Sequence, residues 1–322
     1  MRRMRIAAAQ AHAPWLDTPR TTTIVTEWIG KAAREDVDLL AFGETFLGGY
    51  PRWIGFTDGA RFDAPDQKQA FAAYLDAAVE LDGPEIATVV EAVRDHGVFT
   101  YLGTAERGHG GTGGARGTVY CTLLAIDPER GLVGAHRKLM PTYEERLAWG
   151  VGDGHGLRVH DGPAGWQVGG LNCWENWMPL TRTAMYAGGE DLHVAVWPGG
   201  PDLTRDITRF IAREGRVYVL SAAVLFGPDD VQDAFPLADA VRAAVSTPFE
   251  DGGSCIAGPD GEWVVAPVVD EERLVCADID LARVREERQD FDPTGHYARS
   301  DVLSLRVDRR RLQAVAFDDT ID

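Results

Sequence analysis

Three residues of different chemistry stand directly after apolar runs. Glu44 follows Leu39-Leu-Ala-Phe-Gly, Lys138 follows Leu132-Val-Gly-Ala-His-Arg, and Cys173 follows Gln167-Val-Gly-Gly-Leu-Asn. A thiol with an ordinary pKa of about 8.5 is mostly unreactive at neutral pH. A carboxylate beside it can take its proton as general base. An ammonium beside both can hold the carboxylate ionised, steady a thiolate and stabilise negative charge developing on a substrate. Together the three would suit covalent thiol catalysis. If Cys173 sits at a sharp turn, a following backbone N–H, such as that of Trp174, completes an anion hole. Taken singly, each residue has a plainer reading. A lone cysteine is usually a small buried apolar group, and a lone Glu or Lys is solvated surface.

The segments that must position these residues alternate between strand and helix patterns. Strands are expected over 6–11, 39–42, 99–105, 119–126, 132–137, 167–171, 192–197, 217–224, 254–257, 264–267 and 274–279. Helices are expected over 21–36, 67–81, 84–96, 179–188, 203–215, 237–246 and 281–289, from apolar spacing, proline starts and glycine stops. Glu44, Lys138 and Cys173 then all fall just past strand ends, where sheets of α/β proteins gather their sites. The pattern predicts one layered α/β domain without a linker or repeat. The loop starting at Gly108 contains a GxGxxG spacing, but a strand follows it. A hairpin loop is therefore expected rather than a dinucleotide site, which needs a helix there.

The composition narrows the class. The chain has 322 residues, 45% of them apolar, and a formal net charge of −18. Such acidity argues against nucleic acid or an anionic membrane as partner. The four cysteines, Cys121, Cys173, Cys255 and Cys276, are far apart and show no metal-type spacing. Cys121, Cys255 and Cys276 read as inert core thiols within strands. No apolar run reaches the roughly 18 residues of a membrane span, and the N-terminal apolar stretch is too short for a signal peptide. A cytoplasmic protein with reduced thiols is expected.

Longer motifs around the three residues resemble those of the nitrilase superfamily of carbon–nitrogen hydrolases, and within it the true nitrilases. Cys173-Trp-Glu-Asn-Trp-Met-Pro-Leu is similar to the nucleophile signature of that branch. His136-Arg-Lys-Leu-Met-Pro-Thr-Tyr-Glu-Glu145-Arg resembles the lysine motif with its second glutamate. Gly43-Glu-Thr-Phe-Leu-Gly-Gly-Tyr-Pro resembles the general-base motif, and Gly295-His-Tyr-Ala-Arg-Ser-Asp a C-terminal segment. These matches run in family order from the first strand to about residue 305.

The resemblance implies a four-layer α-β-β-α sandwich with a catalytic Glu44, Lys138 and Cys173, joined by Glu145. It places Tyr50, Trp174, Glu175, Trp197 and Pro198 around the substrate. It implies hydrolysis of an organic nitrile by water without a cofactor or metal. It also implies homodimers that stack outer helices and can extend into spirals. Residues 1–290 would form the hydrolase domain and 291–322 a tail at a subunit interface; His296 is expected to contact either the active site or that interface, with the interface favoured. Trp197-Pro-Gly-Gly and Trp177 depart from many relatives and bear on the acyl pocket.

An amidase or N-carbamoyl amino acid hydrolase would use the same residues; the tryptophan after the cysteine favours a nitrilase. A Cys-His hydrolase would leave Glu44 and Lys138 unexplained, and none of the eight histidines sits in a motif that pairs with Cys173. A lipoprotein acyltransferase needs membrane helices, and a NAD synthetase glutaminase needs a second domain. A filament-forming scaffold with a relic site is the non-enzyme reading. It is disfavoured because all four catalytic positions carry the expected residue types.

Overall fold

A computed structural model describes residues 3–108, 116–245 and 250–312. The chain begins with β1 (Arg3–Gln10), α1 (Thr18–Arg34), β2 (Leu39–Phe42), α2 (Trp53–Phe56), α3 (Pro65–Ala77) and α4 (Pro84–His96). Next come β3 (Phe99–Arg107), β4 (Val119–Asp127), β5 (Gly131–Arg137), β6 (His160–Asp161), β7 (Gln167–Asn172), α5 (Pro179–Ala187) and β8 (Leu192–Trp197). The rest is α6 (Pro201–Gly215), β9 (Tyr218–Ala223), α7 (Ala238–Ala244), β10 (Gly252–Ala257), β11 (Trp263–Val269), β12 (Arg273–Asp280) and α8 (Leu281–Glu287).

The strands form two mixed six-stranded sheets, ordered β12-β1-β2-β3-β4-β5 and β11-β10-β9-β8-β7-β6. Side-chain alternation along each strand divides the core into layers. Ile6, Ala8, Leu39, Ala41 and Tyr101 of one sheet meet Val168, Val194, Val196 and Leu220 of the other. Ala7, Leu40, Phe42 and Leu102 face the opposite way, onto Val25 and Ile29 of α1 and Val89 and Val93 of α4. On the far side, Ala195, Trp197 and Val219 pack against Ile207 and Ile211 of α6. This is the expected α-β-β-α sandwich.

Strand β2, helix α4 and strand β8 have the expected limits. Helix α4 starts on Pro84 and stops at Gly97, whose φ of 70° ends the helix in the left-handed region. Helix α1 begins three residues earlier than expected, because Asp17 accepts from the Arg20 N–H and caps it. Helix α3 ends earlier than its pattern, at Ala77. Val79 is instead taken into a bridge with β3, donating to the Ala105 carbonyl (2.9 Å) and accepting from the Arg107 N–H (2.7 Å). β3 and β4 pair antiparallel, as a hairpin requires. The tip of the glycine-rich loop, residues 109–115, lies outside the described residues. No helix among the described residues is long and apolar enough to cross a membrane.

Candidate active site

The ends of β2, β5 and β7 lie together at one rim of the sandwich. Two glycines permit this closeness. A Cβ on Gly43 would lie 2.4 Å from Val224 and 2.8 Å from the Trp197 carbonyl; one on Gly103 would lie 2.2 Å from the Gly43 carbonyl. Each site loop also holds a non-glycine residue at positive φ: Thr45 (44°), Tyr143 (44°) and Cys173 itself (45°). Such conformations cost about 1–3 kcal/mol each and persist where the surroundings fix them.

The Lys138 ammonium bridges the two carboxylates. It donates to Glu44 Oε1 at 3.0 Å and to Glu145 Oε2 at 2.7 Å, and all three side chains are buried. Ligand-capable atoms of Glu44, Glu145 and Cys173 lie within 4.8 Å of one another. That donor set would suit a cation, but Lys138 already holds the place between the carboxylates.

The two glutamates differ in what remains free. Glu145 Oε1 accepts from the Tyr50 hydroxyl (2.7 Å), and Oε2 accepts from Lys138 and the Thr142 N–H. Glu44 Oε2 is buried and has no hydrogen-bond partner. Burial pushes the Glu44 carboxyl up to about 7; Lys138 opposes the rise and Glu145 adds to it. Burial likewise raises the Cys173 thiol, as does Glu44, while Lys138 and the Trp174 N–H pull it down. At rest Cys173 is therefore a thiol, beside a Glu44 carboxyl that ionises near neutral pH. Two carboxylates outnumber one ammonium, so a free thiolate is not favoured before substrate arrives.

Cys173 opens a 3-10 turn spanning Cys173–Trp177 that is anchored from two sides. Glu175 turns away from the thiol. Its carboxylate accepts from the Leu139 N–H (2.6 Å) and the Asn172 N–H (3.0 Å), and meets His136 Nε2 at 3.0 Å. Burial raises the Glu175 carboxyl, but His136 and the two amides outweigh it and hold it below its usual value. On the other side the Asn176 amide donates to the Cys173 carbonyl (2.9 Å), and its oxygen meets His193 Nε2 (2.8 Å). His193 Nδ1 is held by Glu190 at 3.0 Å.

Trp174, about half exposed, lies tilted against Trp177 with ring centroids 6.0 Å apart. Trp197 is fully buried beside Cys173, with its indole N–H on Ser221 (3.2 Å), and Pro198 is buried too. Tyr50 and Glu44 share the lining of a narrow, partly open pocket with Trp15, Arg52 and Phe226.

Sequence reasoning missed three partners of this site. His136 and His193 brace the nucleophile turn from strands, although neither sits in a motif with Cys173. Cys121, expected to be inert, donates its thiol to Glu44 Oε1 at 3.4 Å. Strand alternation could not reveal these contacts, because each crosses between elements distant in the chain. His296 is exposed, and its ring lies 5.6 Å from Tyr297.

Fold and site together define a carbon–nitrogen hydrolase: that family matches residues 5–289, and the chain belongs to it. Among its relatives, a nitrilase of Bradyrhizobium diazoefficiens is 40% identical, with 89% of this chain and 87% of that one aligned. Nitrilase 1 of Arabidopsis thaliana is 35% identical, covering 98% of this chain and 89% of its own. An aliphatic nitrilase of Rhodococcus rhodochrous is 35% identical, covering 97% and 84%. The C. elegans NitFhit protein shares the fold, with a TM-score of 0.68 at 18% identity over 97% of this chain and 69% of its own.

Proposed function

We propose that this protein is a nitrilase, hydrolysing an organic nitrile to the carboxylic acid and ammonia. The observation that carries the mechanism is the unpartnered Glu44 Oε2 in the cluster that holds Cys173. What favours nitriles over amides is the 35–40% identity to relatives named nitrilases.

Cys173 attacks the nitrile carbon as Glu44 takes the thiol proton; the C≡N π pair moves to nitrogen, which takes that proton from Glu44, giving a thioimidate and restoring the carboxylate. Lys138 and the Trp174 N–H stabilise charge on the nitrogen. Water activated by Glu44 adds, and the tetrahedral intermediate expels ammonia to leave a thioester. A second water releases the acid. Expulsion of the thiol from the tetrahedral intermediate would instead yield an amide. Glu145, with both oxygens occupied, holds Lys138 and moves no proton. Tyr50, Trp174, Trp197 and Pro198 shape the substrate side, and Glu175 acts by fixing the turn that presents Cys173.

The test is ammonia release from aliphatic, aromatic and arylacetyl nitriles, with the matching amides alongside. Ammonia from nitriles is expected; activity on amides alone would move the protein to the amidases. A base with a pKa near 7 must be ionised to act. The rate on nitriles should therefore fall about tenfold per pH unit below that value.

Residues 1–290 serve as one hydrolase domain, with 291–322 as a tail. Four unpaired thiols suit a cytoplasmic setting. Copies pair through the outer helices: Trp177, Met178 and Leu180 at the start of α5 and Phe210 of α6 leave large apolar groups exposed on one layer. Leu180→Glu should lower the sedimenting mass towards that of one chain. An unchanged oligomer would refute this interface.

A further inference from the structure

Of the buried thiols that the mechanism leaves unused, Cys121 lies against the base. It is carried by β4, and its S–H donates to Glu44 Oε1, the oxygen that Lys138 also binds. Its own backbone carbonyl accepts from the Lys138 N–H at 2.7 Å. The residue therefore touches both charged partners, one through its side chain and one through its backbone.

The thiol can act only as a donor here. Burial, reinforced by Glu44, raises its pKa well above the ordinary value, so it stays protonated in the working range. Two donors thus occupy Oε1, and Oε2 is left bare.

We propose that Cys121 is a positioning residue for the general base: with Lys138 it fixes Glu44 Oε1, so that the Cys173 proton is delivered to Oε2. In that step the Cys173 S–H bond breaks, the O–H bond forms on Oε2, the sulfur electron pair goes to the nitrile carbon, and the C–N π pair that this displaces goes to nitrogen, which later takes the proton from Oε2. Cys121 keeps its proton throughout. The proposal rests on Glu44 being the base.

The other groups facing Glu44 set the direction of the effect. Lys138 favours the carboxylate, and Glu145 disfavours it. Cys173 is a thiol at rest. Tyr50 and Tyr74 are held as neutral phenols by burial. A hydrogen bond to the charged form favours that form. Removing the Cys121 donor should therefore make Glu44 a weaker acid, and the acid limb of kcat should move to higher pH.

The experiment compares pH–rate profiles of the wild type, Cys121→Ala, Cys121→Ser and the distant control Cys255→Ser. Alanine should move the limb up by about half a pH unit, the scale of a weak S–H···O bond. Serine retains a donor and should bring the limb back to the wild-type position or below. The Cys255 variant should leave it in place, because that thiol meets Thr208 rather than the base. An unmoved limb in Cys121→Ala, or equal shifts for alanine and serine, overturns the proposal.

Raman spectra of the wild type give a second reading that needs no variant to fold. One S–H stretch should shift to higher frequency as Glu44 is protonated below pH 7. Four pH-independent thiol bands would overturn the proposal. An active Glu44→Gln would instead remove Glu44 as base, so the two failures are distinguishable.

Discussion

Cys173→Ala should release no measurable ammonia from any nitrile, while the protein keeps its fold and melting temperature. The rate loss should be of the order of 10⁶-fold, as for removal of a covalent nucleophile elsewhere. Only a sulfur atom is lost from a turn held by other groups. The Asn172 amide stays on Glu175, and the residue 173 carbonyl stays on Asn176. Circular dichroism and thermal unfolding check the fold; ammonia release checks the chemistry. Mass spectrometry should show a covalent acyl adduct on the wild type incubated with a slow nitrile, and none on the variant. Retained turnover would remove Cys173 as nucleophile. Burial raises Cys173 rather than lowering it, so its nucleophilicity depends on proton transfer to Glu44.

Lys138→Ala should be damaged in two ways at once. Lys138 is buried between two buried carboxylates, and removing it leaves both without their shared cation. Breaking a buried pair in this way costs about 3–5 kcal/mol. Activity should fall by at least about 10³-fold, through lost charge stabilisation and through protonation of the base. The pH dependence of stability identifies the cause. Without the ammonium, Glu44 and Glu145 repel each other in a buried site, and at least one is pushed above its unfolded pKa. Such a group binds its proton more tightly when folded, so it destabilises the fold only where it is ionised. Unfolding midpoints of Lys138→Ala should therefore rise as pH falls from 8 towards 5, and by more than in the wild type, where Glu44 is already raised to about 7 with the ammonium in place. A variant as stable as wild type at pH 8, or one with no such recovery, would contradict this account of the cluster.

Much of the molecule was legible in its sequence. Strand alternation and the proline and glycine punctuation of helices placed nearly every element, because these are local preferences of the backbone. The limits that shifted were decided by distant partners, as where β3 drew Val79 out of the helical pattern. Glu44, Lys138 and Cys173 could be marked because each ends an apolar strand and carries reactive chemistry. Their family motifs then supplied the context that spacing lacked. Which carboxylate oxygen is free could not be read that way. It depends on Tyr50, Cys121 and the pair Lys138 and Thr142 arriving from three separate segments. The same holds for His136 and His193, whose partners lie 39 and 17 residues away.

The sequence by itself determined the layered fold, the chemical identity of the reactive residues and their places at strand ends, since periodicity and residue type are properties of short segments. Only the tertiary structure decided which groups share a proton and which are locked by hydrogen bonds. Burial and charge proximity, which set those outcomes, exist only once the two sheets have closed on each other.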